Sequence, residues 1–404
     1  MKTRLLLALV TVVLAGGQSP AQTRTVSDAE VMRVHRSTLL IDTHNDVPSR
    51  TVEGFDIGSR TGTGHTDIAR LKEGGVGAQF FAVYVASSYV NGNRSADRTL
   101  QMIDTVRHDI IGRYPNDFVL ATTANGIEEA HRRGKIAALM GIEGGHAIED
   151  SVRLLRDYYD LGVRYMTLTH SNTNDWADSS GDVNDPNVKH HNGLTELGKE
   201  IIREMNRLGM MVDISHVADK TFWDALETSK APIFASHSSC RALTNHARNM
   251  TDDMIVALAK KGGVVQVNFY CGFISQKFRD NDAADTKALD ARMAKETAGK
   301  NLSEPDRQIL SEKLRKELKL SRATLTDVVD HIDHIRKIAG IDAIGIGGDF
   351  DGVSCTPVGL DDVSKYPNLT RALLEKGYSA EDIRKIYGGN FLRVMRAVEA
   401  ASGK

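Results

Sequence analysis

Eight short apolar runs, rich in β-branched residues, alternate along the chain with helix-like stretches, and this rhythm limits the architecture more than any other feature. They are Leu39–Asp42, Gly77–Val85, Ile136–Ile142, Val163–Leu168, Met210–Ile214, Pro232–Ser236, Gly263–Phe269 and Ala343–Gly347. Near-continuous apolar character in so short a run suits a strand of a parallel sheet covered on both faces. Between them, Leu194, Leu197, Ile201 and Met205 fall three and four apart within Leu194–Leu208, the spacing of one buried helical stripe. Ile255–Lys261 and Thr326–Ala339 read the same way, with fainter patterns over Asp67–Lys72 and Ser379–Ala397. Strands alternating with helices leave two solutions, a closed barrel or a doubly wound open sheet.

The positions of the reactive residues choose between them. His44, Glu143, His170, His216, His237 and Asp349 each sit at, or just past, the C-terminal end of a different run. A barrel gathers those ends around one mouth, whereas an open sheet would string them along a line. The expected fold is therefore a (β/α)8 TIM barrel, a single domain over residues 22–404. Residues 275–322, with Asp280, Asp282, Asp285, Arg315 and Glu317 among them, interrupt the rhythm. They read as a helical insertion after the seventh strand whose charges face water, in preference to a lid.

The mouth residues have the chemistry of metal ligands. His44 and Asp46 lie two apart, so in a strand both side chains point the same way and can share one ion. Such a pair also arises by chance, as a loop histidine beside a helix-capping aspartate. Glu143 follows an apolar run directly, and burying it unpaired would be costly. It can bridge two cations about 3.5–4 Å apart or pair with an arginine. His216 and His237 end successive strands, which matches one strand–helix–strand unit. Histidine, aspartate and glutamate without thiolate suit zinc, and less decisively manganese, iron or cobalt. By contrast His331 and His334 fit a solvated helix face, and His65, His108, His131, His190 and His191 fit loops or polar helices. Asp349–Gly352 fails as a calcium loop because its twelfth position is Leu360, not glutamate.

Charge and cysteine content exclude other classes. Lys and Arg number 51 against 53 Asp and Glu, which leaves no basic footprint for nucleic acid. Cys240, Cys271 and Cys355 form no CxxC pair, so buried free thiols are expected rather than a disulfide framework. At the N-terminus, Lys2 and Arg4 precede an apolar run over Leu5–Ala15, with small residues to Ala21. This reads as a signal peptide over residues 1–21, too short to span a bilayer, which takes about 20 apolar residues. The expectation is export to the periplasm or beyond, with no stable membrane anchor.

In chain order, IDTHND, GIEGGH, LTHSNTN, DISHV, SHSSCRAL and GIGGDFDGV followed by GLDDVSKYPNLT resemble the membrane (renal-type) dipeptidase family of dinuclear zinc hydrolases. The likeness runs from Leu39 to Val398, with 275–322 as the main departure. It implies hydrolysis of dipeptides with a free C-terminal carboxylate by a hydroxide bridging two Zn2+ ions. Carried over, His44 and Asp46 hold one zinc, His216 and His237 the other, and Glu143 bridges them. His170 would contact the substrate at the scissile carbonyl and Asp349 would transfer the proton. Arg248 would clamp the carboxylate, with Arg241 a rival. Family members are often homodimers, which implies the same assembly here. Metal ligands alone cannot separate a dipeptidase from another barrel hydrolase, such as a deacetylase or lactonase. A non-catalytic metal-binding protein is the other alternative, and the complete ligand set counts against it.

Overall fold

All eight runs form strands of one parallel sheet that curls back on itself. The computed structural model describes residues 24–403, and the signal peptide assigned to 1–21 lies outside them. Among the described residues the strands are β1 (Leu40–Asn45), β2 (Val76–Tyr84), β3 (Phe118–Leu120), β4 (Ile136–Glu143), β5 (Val163–Thr167), β6 (Met211–Asp213), β7 (Phe234–Ser238), β8 (Val264–Val267) and β9 (Ile344–Ile346). Their order is β1-β2-β4-β5-β6-β7-β8-β9. The ninth strand, β3, pairs only with the first half of β4, beside the half that pairs with β5. Three residues long, it shows no period to read in the sequence. The barrel nearly closes between β9 and β1, where Asp349 N–H donates to the His44 carbonyl (3.1 Å) and Asp46 N–H to the Phe350 carbonyl (2.9 Å). The same two contacts bring Asp349 alongside His44 and Asp46.

Two apolar layers hold the barrel. One lies between strands and helices. The other fills the barrel interior, where Phe80, Tyr165, Phe234 and Phe391 meet edge to face or tilted at centroid distances from 5.1 to 6.0 Å. Phe391 comes from the C-terminal helix Asn390–Ala401, which plugs the end opposite the mouth. Each such ring contributes roughly 3–5 kcal/mol against truncation to alanine. Stability thus concentrates at the plugged end, and the mouth is left to polar residues. Gly141 shows how tight the interior is: a Cβ there would lie 1.9 Å from the Tyr165 ring. Without a side chain at Gly141, the Tyr165 ring can cross the barrel and carry its hydroxyl to the mouth.

The helix Glu196–Leu208 begins where Thr195 accepts from Gly198 N–H and stops at Gly209, whose φ of 81° ends the right-handed turn. Three expectations need correction. Cys271 and Cys355 form a disulfide, with Cα atoms 5.5 Å apart. Their separation of 84 residues hid it, because neighbouring strand ends meet in the ring whatever their distance in sequence. His331 is fully buried, with Nδ1 accepting from Cys240 N–H (3.0 Å) and Nε2 facing the Ile274 carbonyl (3.2 Å). It is a satisfied core histidine rather than part of a solvated face. The insertion, finally, is only partly a solvated excursion. Its helices Gln276–Thr297 and Glu304–Glu317 bury Phe278, Leu289 and Leu314, and the second helix reaches the barrel mouth.

Candidate active site

Every barrel strand sends a polar side chain to one mouth. β1 supplies His44 and leads to Asp46; β2 ends on Tyr84 and β4 on Glu143. His170 and His216 follow β5 and β6, His237 lies in β7, and Asn268 and Asp349 follow β8 and β9. Glu143 keeps the inward parity of Leu139 and Gly141, so its carboxylate points along the barrel axis. Four imidazoles converge on it. Glu143 Oε1 lies 2.9 Å from His216 Nε2, 3.4 Å from His237 Nε2 and 3.8 Å from His170 Nε2, while Oε2 lies 3.5 Å from His44 Nε2. Asp46 Oδ2 is 3.3 Å from His44 Nε2. His44, Asp46, Glu143, His216 and His237 are thus brought together, all less than a tenth exposed.

The histidine tautomers follow from the groups behind them. Tyr165 donates its hydroxyl proton to the Thr43 carbonyl (3.0 Å), so it accepts from His44 Nδ1 (2.9 Å) and turns Nε2 toward Asp46 and Glu143. Burial opposes a charge on His44, yet Tyr165 and the two carboxylates raise it well above the usual histidine range, so its Nε2 proton is the one a cation would displace. Ser236 donates to Asp213 (2.6 Å), so it accepts from His237 Nδ1 (2.7 Å), which leaves Nε2 unprotonated and 2.9 Å from His216 Nε2. Such backing orients the imidazoles of metal sites. His44 Nε2 and Asp46 Oδ2 are buried with no hydrogen-bond partner, an arrangement that costs free energy unless something fills it. Burial and the nearby charge of Arg248 hold His216 well below the usual histidine range. Burial and the neighbouring His44 do the same to His237, and the neutral form is the one a cation binds. Burial works against ionising Glu143, yet the imidazoles around it prevail and hold its carboxyl well below the ordinary range. Donor set, lone pairs and unpartnered atoms together fit a divalent cation, and there is room for more than one grouping: His44, Glu143 and His237; Glu143, His170 and His216; His44, Asp46 and Asp349.

Asp349 and His216 adopt left-handed backbone, with φ of 59° and 68°. Such conformations cost on the order of 1 kcal/mol or more and cluster at working sites. Asp349 Oδ2 accepts from the Asn268 amide (2.7 Å). Burial pushes the Asp349 carboxyl up to about 8, with Asp46 and Glu143 adding like charge against the opposing pull of His44. Arg248 is buried beneath the site, giving hydrogen bonds to Ser238 Oγ (3.1 Å) and the His237 carbonyl (3.0 Å), while its Nε has no partner. Arg241 is spent elsewhere, in a two-pronged pair with Asp219 at 2.7 Å on both arms. Above the site opens a cavity of about 460 Å3, lined by Glu143, His170, His216 and Asp349 at its floor. That is the size of a small-ligand site.

A family model for membrane dipeptidase (peptidase family M19) matches residues 28–404. The chain belongs to this family. Solved structures agree. The probable dipeptidase PvdM from Pseudomonas aeruginosa is 25% identical with a TM-score of 0.76, over 93% of this chain and 99% of that one. A metallo peptidase from Rhodobacter sphaeroides, liganded with a phosphinate mimic of the dipeptide L-Ala-D-Ala, is 25% identical with a TM-score of 0.71, over 89% and 99%. The dipeptidase AC, a metallo peptidase of family M19, is 26% identical with a TM-score of 0.72, over 89% and 98%. This membrane dipeptidase family member is accordingly a metallodipeptidase.

Several residues of the dipeptidase's mouth carry no sequence signal. Asn268 and Tyr84 are neutral residues at strand ends, distinguishable only once the ring is closed. Glu304, Pro305 and Gln308 reach the cavity wall from the insertion, which reads as surface because its helices are charged along their length. His65 lies in a loop, as its sequence suggests, but is buried there, with Nε2 2.5 Å from Glu312 and Nδ1 accepting from Asp351 N–H (2.8 Å).

Proposed function

We propose that the chain hydrolyses dipeptides with a free C-terminal carboxylate, using two zinc ions held at the barrel mouth. His44 and Asp46 would hold one ion, His216 and His237 the other, and Glu143 would bridge them. The observation that carries this reading is the convergence of four imidazoles on the Glu143 carboxylate, with Tyr165 and Ser236 engaging Nδ1 of His44 and His237 so that both Nε2 atoms face it. Bound there, the ions would polarise the scissile carbonyl and activate the attacking water. The Rhodobacter relative, liganded with a dipeptide mimic, supports the substrate class.

The chain's own residues would do the rest. His170 lines the cavity 3.8 Å from Glu143 and can donate to the oxygen of the carbonyl under attack. Asp349, held by Asn268, would be ionised by the charge of the bound cations, and would then accept the water's proton and return it to the leaving nitrogen, so the amine departs neutral. Arg248 would attract the substrate carboxylate. Arg248→Ala is therefore expected to raise KM for dipeptides by about tenfold or more at near-constant metal content, in steady-state kinetics with parallel metal analysis. Equal loss of both would give Arg248 a structural role instead. The reading as a whole is tested by hydrolysis of a dipeptide panel after chelation and after zinc is restored. Activity should vanish and return; activity that survives full metal removal would refute it.

We also infer export. The Cys271–Cys355 disulfide supports this, because it suits an oxidising compartment.

A further inference from the structure

The insertion has no role in the chemistry just described, yet the helix Glu304–Glu317 forms part of the cavity wall. Glu304, Gln308 and Glu312 recur every four residues along it, so they share one face. The first two line the cavity. The third pins the helix to the barrel: Glu312 Oε2 meets His65 Nε2 (2.5 Å) and Oε1 accepts from Thr356 Oγ1 (2.7 Å). His65 in turn is bonded to Asp351 in both directions, through Asp351 N–H to Nδ1 and His65 N–H to Oδ1. Because Asp351 N–H donates to Nδ1, the imidazole proton sits on Nε2 and points at Glu312. The helix is therefore fixed against the loop that carries Asp349.

Glu304, set by this anchor, faces the cavity without a counterion. Among the described residues no basic side chain or hydrogen-bond donor reaches its carboxylate. Asp351 lies at the cavity edge, but its carboxylate is turned inward, with Oδ1 taken by His65 N–H (2.9 Å) and Arg50 (3.9 Å). Glu53 adds a further acid to the lining. The one arginine there, Arg98, stacks over Tyr89 at 5.5 Å and reaches Gln101 Oε1 at 3.5 Å. With Asp46 and Glu143 assigned to cations, Glu304 and Glu53 are the acids left facing the cavity from the side of the insertion and the segment after β1.

We propose that Glu304 determines specificity, selecting dipeptides that carry a cationic side chain, lysine or arginine. The proposal rests on the dipeptidase reading. A neutral isostere isolates the charge: norleucine keeps lysine's aliphatic stem and lacks its ammonium. The test is kcat/KM of the zinc-loaded enzyme for Lys-Ala against norleucine-Ala, and for Ala-Lys against Ala-norleucine. The lysine-to-norleucine ratio is expected to reach about three- to fivefold in one of the two positions, the scale of a solvent-exposed ion pair. It should fall to about one in Glu304→Gln and below one in Glu304→Lys. A ratio near one in the wild type, or one that Glu304→Gln leaves unmoved, overturns the proposal. An unmoved ratio with all substrates slowed alike would mean that Glu304 reads the N-terminal ammonium common to every dipeptide. Failure to hydrolyse any of the four would instead strike the dipeptidase reading.

Discussion

Glu143→Gln should strip the enzyme of at least one metal ion and lower dipeptide turnover on the order of a thousandfold. The substitution keeps the shape of the side chain and removes only its charge. Among the described residues that charge is the one anion that lies within 4 Å of all four imidazoles, His44, His170, His216 and His237, and it belongs to two of the three ligand groupings. Removing one member of a buried charged cluster costs about 3–5 kcal/mol. Spent on cation binding and on the charge developing in the transition state, about 4 kcal/mol corresponds to roughly a thousandfold in rate. Metal analysis of the purified variant, beside its kinetics, separates the two losses. A variant with full metal content and near-normal turnover would remove Glu143 from its bridging role, whatever the geometry.

The parts of this arrangement that the sequence makes legible are those where local pattern and global position coincide. Parallel strands buried on both faces must be apolar, so all eight barrel strands stand out, and a ligand at a strand's end is flagged by the apolar run before it. Ile136–Ile142 followed by Glu143 is the clearest instance, since a carboxylate has no reason to follow seven core residues unless something meets it. What stays hidden depends on the ring being closed. Tyr165 reads as one more core aromatic, and only the missing side chain at Gly141, its partner on the neighbouring strand β4, lets its hydroxyl reach His44. Cys271 and Cys355 lie after the seventh and eighth runs, adjacent in space only because those strands are neighbours. Glu312 looks like any surface glutamate of a charged helix, and its burial depends on His65, 247 residues away. Charge patterning predicts exposure from the composition of an element, whereas one face of that element can still be claimed by a distant partner.

Asp349→Asn should keep the metals and lose turnover by about 10²–10⁴-fold, the usual weight of a positioned proton carrier. The fold should tolerate the change, because asparagine accepts the left-handed conformation that Asp349 adopts. The new amide can still offer its oxygen to the Asn268 donor that now holds Asp349 Oδ2. What it cannot do is take up a proton near neutral pH. The experiment also decides between two uses of this carboxylate. Asp349 belongs with His44 and Asp46 to one of the groupings able to hold a cation, so it could serve as a ligand instead of a proton carrier. A ligand's loss would show as reduced metal content and be partly restored by excess zinc. A proton carrier's loss would show at full metal content, leave dipeptide affinity close to wild type and resist added zinc. The side-chain hydrogen bonds favour the second outcome: the Asp349 carboxylate is already committed to Asn268, whereas Asp46 Oδ2 and His44 Nε2 are buried atoms left without partners.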